Sequence, residues 1–148
     1  MIRDALLTFS DGQAIAAGPS TNVIDLGPLG GGNTGRQIGA GTPLYLAVVF
    51  PTALVGDLTI QIQTSDAEGS GYTTVATTAV AAADGAAGTK LAIPVPSAGL
   101  KRFVRLNYAG GTGGTIWAGI VQDVGDSTLY AGGYQMAPID YTAAGGGA

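Results

Sequence analysis

The sequence predicts an all-β protein that forms a single-domain β-sandwich, with a jelly roll as the first expected topology and an immunoglobulin-like arrangement as the second. Three observations carry this prediction. Polar and apolar residues alternate with a period of two, turn-forming residues separate the alternating segments, and no segment has the apolar spacing of a helix of three turns. A chain of 148 residues is long enough to bury one core without outside help.

Eight strands follow from these patterns. The clearest spans residues 58–63 (Leu-Thr-Ile-Gln-Ile-Gln), whose alternation predicts one buried and one solvated face. Residues 44–50 are apolar on both faces and lie between Pro43 and Pro51, which favours a strand that is covered on both sides. The remaining predicted strands span residues 2–9, 22–26, 73–80, 89–95, 102–108 and 115–124.

Turn chemistry separates nearly all of these strands, for example at Asp11-Gly12 and in the Gly-rich loop of residues 30–35. The Ala-rich residues 76–87 have helical propensity, but threonines, a valine and Gly85 interrupt them, so we expect a strand followed by a loop. We therefore assign residues 1–124 to the sandwich domain.

Residues 125–148 differ in character, because four large side chains are spaced by Gly, Ala and Pro: Tyr130, Tyr134, Met136 and Tyr141. Tyrosine is a favoured anchor at protein interfaces, and this segment carries little charge. We predict an extended C-terminal arm that packs on a neighbouring subunit. The alternative is a tail that folds back over its own domain.

The composition excludes some functions. Only 11% of the residues are charged and the net charge is −4, with six Lys and Arg in all. Nucleic-acid binding depends on many basic side chains, so it is not expected. Three of the six, Lys101, Arg102 and Arg105, lie close together, but Arg102 should point to the opposite face of its strand from the other two. We expect a solvated strand face with one ion pair.

The N-terminal residues place Asp4 beside Arg3 and lack the apolar stretch of a signal peptide. The longest apolar run, residues 44–50, is too short to span a bilayer. Because cysteine is absent, no disulfide or thiolate metal site can form. We expect synthesis in the cytoplasm and no membrane partner.

No enzymatic chemistry is expected. Histidine and cysteine are both absent, which removes the usual general base and one class of nucleophile. Ser97 and Lys90 could in principle form a Ser-Lys dyad, but no spacing marks them, and a turn serine and an exposed lysine account for both. The acidic residues are scattered and mostly occupy turns, so paired carboxylates for glycoside hydrolysis are not evident.

No cofactor or metal is expected either. Asp66 and Glu68 could share a calcium ion, but two carboxylates fall short of the usual ligand number. Gly30, Gly32 and Gly35 match the spacing of a dinucleotide-binding loop. A dinucleotide-binding loop must lie at the N-terminus of a helix. Gly39, Gly41 and Pro43 follow this loop and do not allow a helix, so a surface loop is the better interpretation.

The single tryptophan, Trp117, lies on the opposite face of its predicted strand from Ile116, Ala118 and Ile120. Three roles are open to it. We rank a place in the core first, a contact with another subunit second and a platform for sugar stacking third.

Residues 4–15, 21–27, 58–66 and 100–108, followed by a late strand at 115–124 that ends in Gln-Asp-Val, together resemble the capsid cement proteins of short-tailed phages, of the kind first described for a Bordetella phage. The resemblance covers the chain from about Ile2 to Val124. It implies a jelly roll that sits on the outer capsid surface as an oligomer and braces neighbouring copies of the major capsid protein. Since symmetric closure is usual, we expect that oligomer to be a homodimer or homotrimer. The family has no catalytic residues to transfer.

Two other functions remain as alternatives. One is a carbohydrate-binding β-sandwich that stacks exposed aromatics such as Trp117 or Tyr72 on sugar rings. The other is a different virion component, in the tail or at head completion, which would be present in only a few copies.

Overall fold

The computed structural model describes residues 3–28, 44–96 and 99–122. Nine strands and two short 3-10 turns make up this part of the chain. The strands are β1 (Thr8–Ala14), β2 (Gly18–Pro19), β3 (Ile24–Asp25), β4 (Tyr45–Val55), β5 (Leu58–Ser65), β6 (Thr73–Val80), β7 (Lys90–Pro94), β8 (Phe103–Gly110) and β9 (Gly113–Val121). The 3-10 turns span Ala5–Leu7 and Ala82–Asp84.

The strands form two antiparallel sheets with jelly-roll connectivity. One sheet has the order β1-β9-β4-β7, and the other has the order β2-β8-β5-β6 with β3 also pairing to β8. If β2 and β3 are taken as one interrupted strand, the first strand pairs with the last, the second with the seventh, the third with the sixth and the fourth with the fifth. That nested pairing defines a jelly roll rather than an immunoglobulin-like sandwich, and the predicted fold class is confirmed.

The core lies between the two sheets and is built from alternating residues. Leu58, Ile60 and Ile62 of β5 are all buried, as the period-two pattern predicts. Phe50 of β4, in the opposite sheet, and Leu106 of β8, next to β5 in the same sheet, belong to this core, and both are fully buried. Burial of each such side chain contributes about 1.5–3 kcal/mol, so this layer holds the sheets together.

The N-terminal strand differs from its prediction. Ala5–Leu7 forms a 3-10 turn, in which an Asp4 carboxylate oxygen accepts a hydrogen bond from the Leu6 amide at 2.8 Å. The strand β1 begins only at Thr8 and runs through the predicted turn at Asp11-Gly12. Its pairing to β9 shifts register there, and Gly12 has a φ of 65°, so the turn signal produces a bulge within the strand.

The predicted end of the strand at residues 44–50 is also wrong, because this strand, β4, continues past Pro51 to Val55. The pairing of β4 with β9 is irregular between Val49 and Thr52, so the missing amide of Pro51 falls where the ladder is already interrupted. The Thr52 amide instead donates to the Thr115 hydroxyl at 3.2 Å. The strand predicted at residues 73–80 has the predicted bounds as β6, and the other predicted strands appear with shifted ends. The two-residue strand β2 was not predicted.

Several predicted features fall outside the described residues: the C-terminal arm with Tyr130, Tyr134, Met136 and Tyr141, the loop with Gly30, Gly32 and Gly35, and Ser97. Within the described ranges, no helix has the length and hydropathy of a membrane span.

Candidate contact surfaces

The two outward faces of the sandwich differ sharply in chemistry. On the β1-β9-β4-β7 sheet, Ala47, Val49, Trp117 and Val121 form a small apolar cluster against which Tyr45 packs. We call this set the outer cluster. It is separate from the main core because its members alternate with core residues along β4 and β9. Strand β4 is therefore covered on both sides, as its sequence predicted.

Trp117 is only 3% exposed and lies in the outer cluster, on the far side of the sheet from the main core. The outer rim of its indole lies against Gly119, where an added Cβ would come within 2.8 Å of the ring and 3.1 Å of the Leu7 carbonyl oxygen. The Arg3 guanidinium lies 4.3 Å from the centroid of the ring. With Gly119 and Arg3 both packed against it, the indole acts here as a packing residue and presents little surface to a sugar.

The outward face of the other sheet is polar, and its side chains hold one another in place. The Asn107 amide donates to the Gln61 carbonyl oxygen at 2.9 Å, and Arg105 Nε donates to the Gln63 carbonyl oxygen at 3.0 Å. The Gln63 amide in turn donates to the Thr74 hydroxyl at 3.3 Å. We call these five residues of β5, β6 and β8 the polar face. Arg105 is their one charged member.

Tyr72 lies at the margin of the polar face. The Arg105 guanidinium stacks 3.9 Å from the centroid of its ring, and its hydroxyl donates to the Glu68 carbonyl oxygen at 2.6 Å. Partial burial raises the pKa of the Tyr72 hydroxyl, although the charge of Arg105 acts in the opposite direction. Tyr72 is therefore a fixed aromatic ring with a guanidinium stacked against it.

The basic residues before and within β8 each have a partner, and two ion pairs replace the single one predicted. Lys101 Nζ lies 2.7 Å from the Asp66 carboxylate, and Arg102 Nε lies 2.8 Å from the Asp25 carboxylate. The hydrogen bond to Asp25 raises the pKa of Arg102. Lys101 and Arg102 precede β8 rather than lying on it, so strand alternation does not decide their directions.

The described residues offer little for catalysis or metal binding. No group of three or more Asp and Glu side chains lies close enough together to hold a metal ion in the described ranges. Asp66, considered for calcium together with Glu68, is paired with Lys101 instead. Lys90 is exposed at the start of β7.

A buried polar bridge that was not predicted joins the two sheets. The hydroxyls of Ser10 on β1 and Tyr108 on β8 are 2.8 Å apart, and both residues are buried. Ser10 also donates to the Gln13 carbonyl oxygen at 2.6 Å, so Tyr108 must be the donor to Ser10. Gln13 Oε1 further accepts from the amide and hydroxyl of Thr21, each at 2.9 Å.

Comparisons with known proteins give one result. No curated protein matches the chain. A family model described as Bbp16 matches residues 9–124, which spans the sandwich from the first residues of β1 to the end of β9. The family name is consistent with the resemblance to a Bordetella phage protein and specifies no function. Since the match covers well over half of the sequence, the chain belongs to the Bbp16 family.

Proposed function

We propose that this protein is a virion structural protein that binds the outer surface of a tailed-phage capsid and cements neighbouring copies of the major capsid protein. The observation that carries the proposal is the membership of the Bbp16 family across a domain with jelly-roll connectivity. Proteins with this fold have many different functions, so the proposal is supported mainly by the family membership and by the surface chemistry.

The surface chemistry favours a protein that packs against other proteins in an assembly. The polar face carries amide and hydroxyl groups and one guanidinium, so packing it against another protein removes few ions from water. Its side chains are already fixed by hydrogen bonds to one another, so little conformational entropy is lost on contact. We propose the polar face as the surface that meets the shell.

The mechanism requires no reaction. A rigid domain that binds only the assembled shell stabilises that state by mass action, and repetition over many symmetric positions multiplies the effect. A stable attachment needs about 800 Å² of buried surface per copy. The shell then resists separation of its subunits under the pressure of the packaged DNA.

The test compares particles with and without the protein. Shells stripped of it should release their DNA at a lower temperature and under milder osmotic stress, and adding the purified protein back should restore both. Equal stability of stripped and complete shells would remove the cementing role.

The polar face can be tested separately. Gln61→Glu places a carboxylate in the middle of the face, and we expect it to weaken binding to stripped shells because that charge must lose its water on contact. Thr112→Glu, an exposed change in the hairpin between β8 and β9, is the matched control. Equal binding of both variants would move the contact to another surface.

The carbohydrate-binding alternative now rests on Tyr72, because Trp117 is packed between Gly119 and Arg3. Purified protein that binds a glycan array, with loss of binding in Tyr72→Ala and not in Trp117→Phe, would favour that function over cementing.

A further inference from the structure

The guanidinium of Arg105 is the one charged group of the polar face, and no carboxylate of the described residues neutralises it. The two basic residues that precede β8 are neutralised by ion pairs at 2.7 and 2.8 Å. Arg105 forms no ion pair within the described ranges, and its partners there are the neutral side chains of Gln63 and Tyr72. The polar face therefore holds one positive charge without a countercharge from these residues.

The strand register fixes this guanidinium from one side. Gln63 of β5 pairs with Arg105 of β8 and with Thr74 of β6, so it lies between the two. Side chains that oppose each other on one face of an antiparallel pair are close enough to interact. The Gln63 carbonyl oxygen accepts from Arg105 Nε at 3.0 Å, and the Gln63 amide donates to the Thr74 hydroxyl at 3.3 Å. Three neighbouring strands thus hold the guanidinium in place.

Tyr72 fixes the guanidinium from a second direction. Arg105 Cζ lies 3.9 Å from the centroid of the Tyr72 ring. The Tyr72 hydroxyl donates to the Glu68 carbonyl oxygen at 2.6 Å, so the ring is itself held. A guanidinium that stacks on an aromatic face keeps its N–H donors in its own plane, where they can still bind an acceptor. Arg105 is therefore a partly buried, preorganised cation.

Most of the hydrogen-bonding capacity of Arg105 is unused in the described part of the chain. A guanidinium carries N–H donors on Nε, Nη1 and Nη2 in a planar fork. Within the described ranges only Nε has an acceptor, the carbonyl oxygen of Gln63. The donors on Nη1 and Nη2 match the two oxygens of a carboxylate, which a guanidinium binds through two parallel hydrogen bonds.

Burial of the polar face would make this charge costly. When the polar face packs on the shell, as in the proposed function, the Arg105 guanidinium loses the water around it. A charge removed from water is strongly destabilising unless an opposite charge and hydrogen bonds replace that water. Because the described residues supply no such charge, the shell has to supply it.

We infer that the Arg105 guanidinium binds a carboxylate side chain, an Asp or a Glu, on the outer surface of the major capsid protein. The inference rests on the proposed function and gives the chemistry of the shell site. Because the guanidinium is already held by Gln63 and Tyr72, little conformational entropy is lost when the carboxylate binds. Arg105 also determines specificity, since a shell surface with a cation or an apolar group at that point would leave the charge unpaired.

Binding of the purified full-length protein to stripped shells tests the inference. Arg105→Gln should raise the dissociation constant about thirtyfold or more, because the shell carboxylate is then buried without its partner. Arg105→Lys keeps the charge but lacks the planar fork, so it should restore only part of the affinity. Lys90→Gln removes the same charge at an exposed position of β7 in the other sheet, and this matched control should bind like the natural protein. Urea titration verifies that each variant is folded.

Crosslinking with a carbodiimide gives the second readout and identifies the acidic residue. This reagent joins an amine to a carboxylate in direct contact and does not join a guanidinium. The new amine of Arg105→Lys should therefore become linked to an Asp or Glu of the major capsid protein in reconstituted shells, whereas the natural protein should form no link at this position. Lys101 Nζ and the Asp66 carboxylate, which lie 2.7 Å apart, provide an internal control link in both proteins.

The possible failures are distinguishable. If the natural protein restores the stability of stripped shells but Arg105→Gln binds as tightly as Lys90→Gln, the inference is overturned and the cementing role stands. The same holds if position 105 forms no link while Lys101 and Asp66 do. Failure of the natural protein to bind stripped shells would overturn both. Normal shell binding by Arg105→Gln, with loss of binding to acidic sugars on a glycan array, would assign the site to a sugar carboxylate instead.

Discussion

The burial of Tyr108 makes the stability of the sandwich depend on pH in the alkaline range. Burial raises the pKa of Tyr108 to about 12 from its ordinary value of 10.0, while the hydrogen bond to Ser10 lowers it slightly. Because the folded pKa is the higher one, the stabilisation is complete below pH 10 and is lost as the pH rises towards 12. A shift of two units corresponds to roughly 2.7 kcal/mol of unfolding free energy.

Tyr108→Phe isolates this effect. Near pH 8 the variant should be less stable than the natural protein by about 1 kcal/mol, because it loses one buried hydrogen bond. The difference should shrink above pH 10 and change sign by about pH 12, where the natural protein must hold an ionised phenol in its core or unfold. Urea unfolding followed by the fluorescence of Trp117, measured at several pH values, gives both free energies.

The comparison of the natural protein with Tyr108→Phe has one outcome that would refute the role of burial. A free-energy difference between the natural protein and Tyr108→Phe that stays constant from pH 8 to 12 would show that Tyr108 is not held neutral by burial.

Two further predictions concern packing. Leu106→Ala, at a fully buried position of β8, should reduce the free energy of unfolding by about 2–5 kcal/mol, while Leu6→Ala, at a side chain that is 64% exposed, should change it by less than about 0.5 kcal/mol; urea titration of both measures the contrast. Gly119→Ala should push the Trp117 ring off the sheet and shift its fluorescence to longer wavelength, whereas Gly69→Ala, where an added Cβ meets nothing within 4 Å, should leave the spectrum unchanged. Equal effects within either pair would contradict the described packing.

The fold was predictable because local patterns and global structure agree in most of the chain. The alternation in residues 58–63 requires a half-buried strand, and the apolar run at residues 44–50 requires cover on both faces. The sequence predicted two possible topologies, a jelly roll and an immunoglobulin-like arrangement. Period-two patterning determines which residues face inward, but it does not determine which strands pair. The order β1-β9-β4-β7 depends on contacts between residues far apart in the sequence.

Details that depend on such distant contacts were missed. Ser10 and Tyr108 lie 98 positions apart, and only the packing of one sheet against the other brings their hydroxyls together. Trp117 lies flat on the sheet because Gly119 leaves room for the ring, which a ranking based on strand faces does not reveal. Pro51 predicted a strand end, but an irregularity in the β4–β9 pairing allows the strand to continue.

The central claim, that this protein is a component of the capsid surface, is tested most directly by quantitative mass spectrometry of purified virus particles. The ratio of this chain to the major capsid protein should be close to one or to a simple fraction of one. A handful of copies per particle would indicate a tail or head-completion component instead, and absence from the particle would contradict a structural role in the virion.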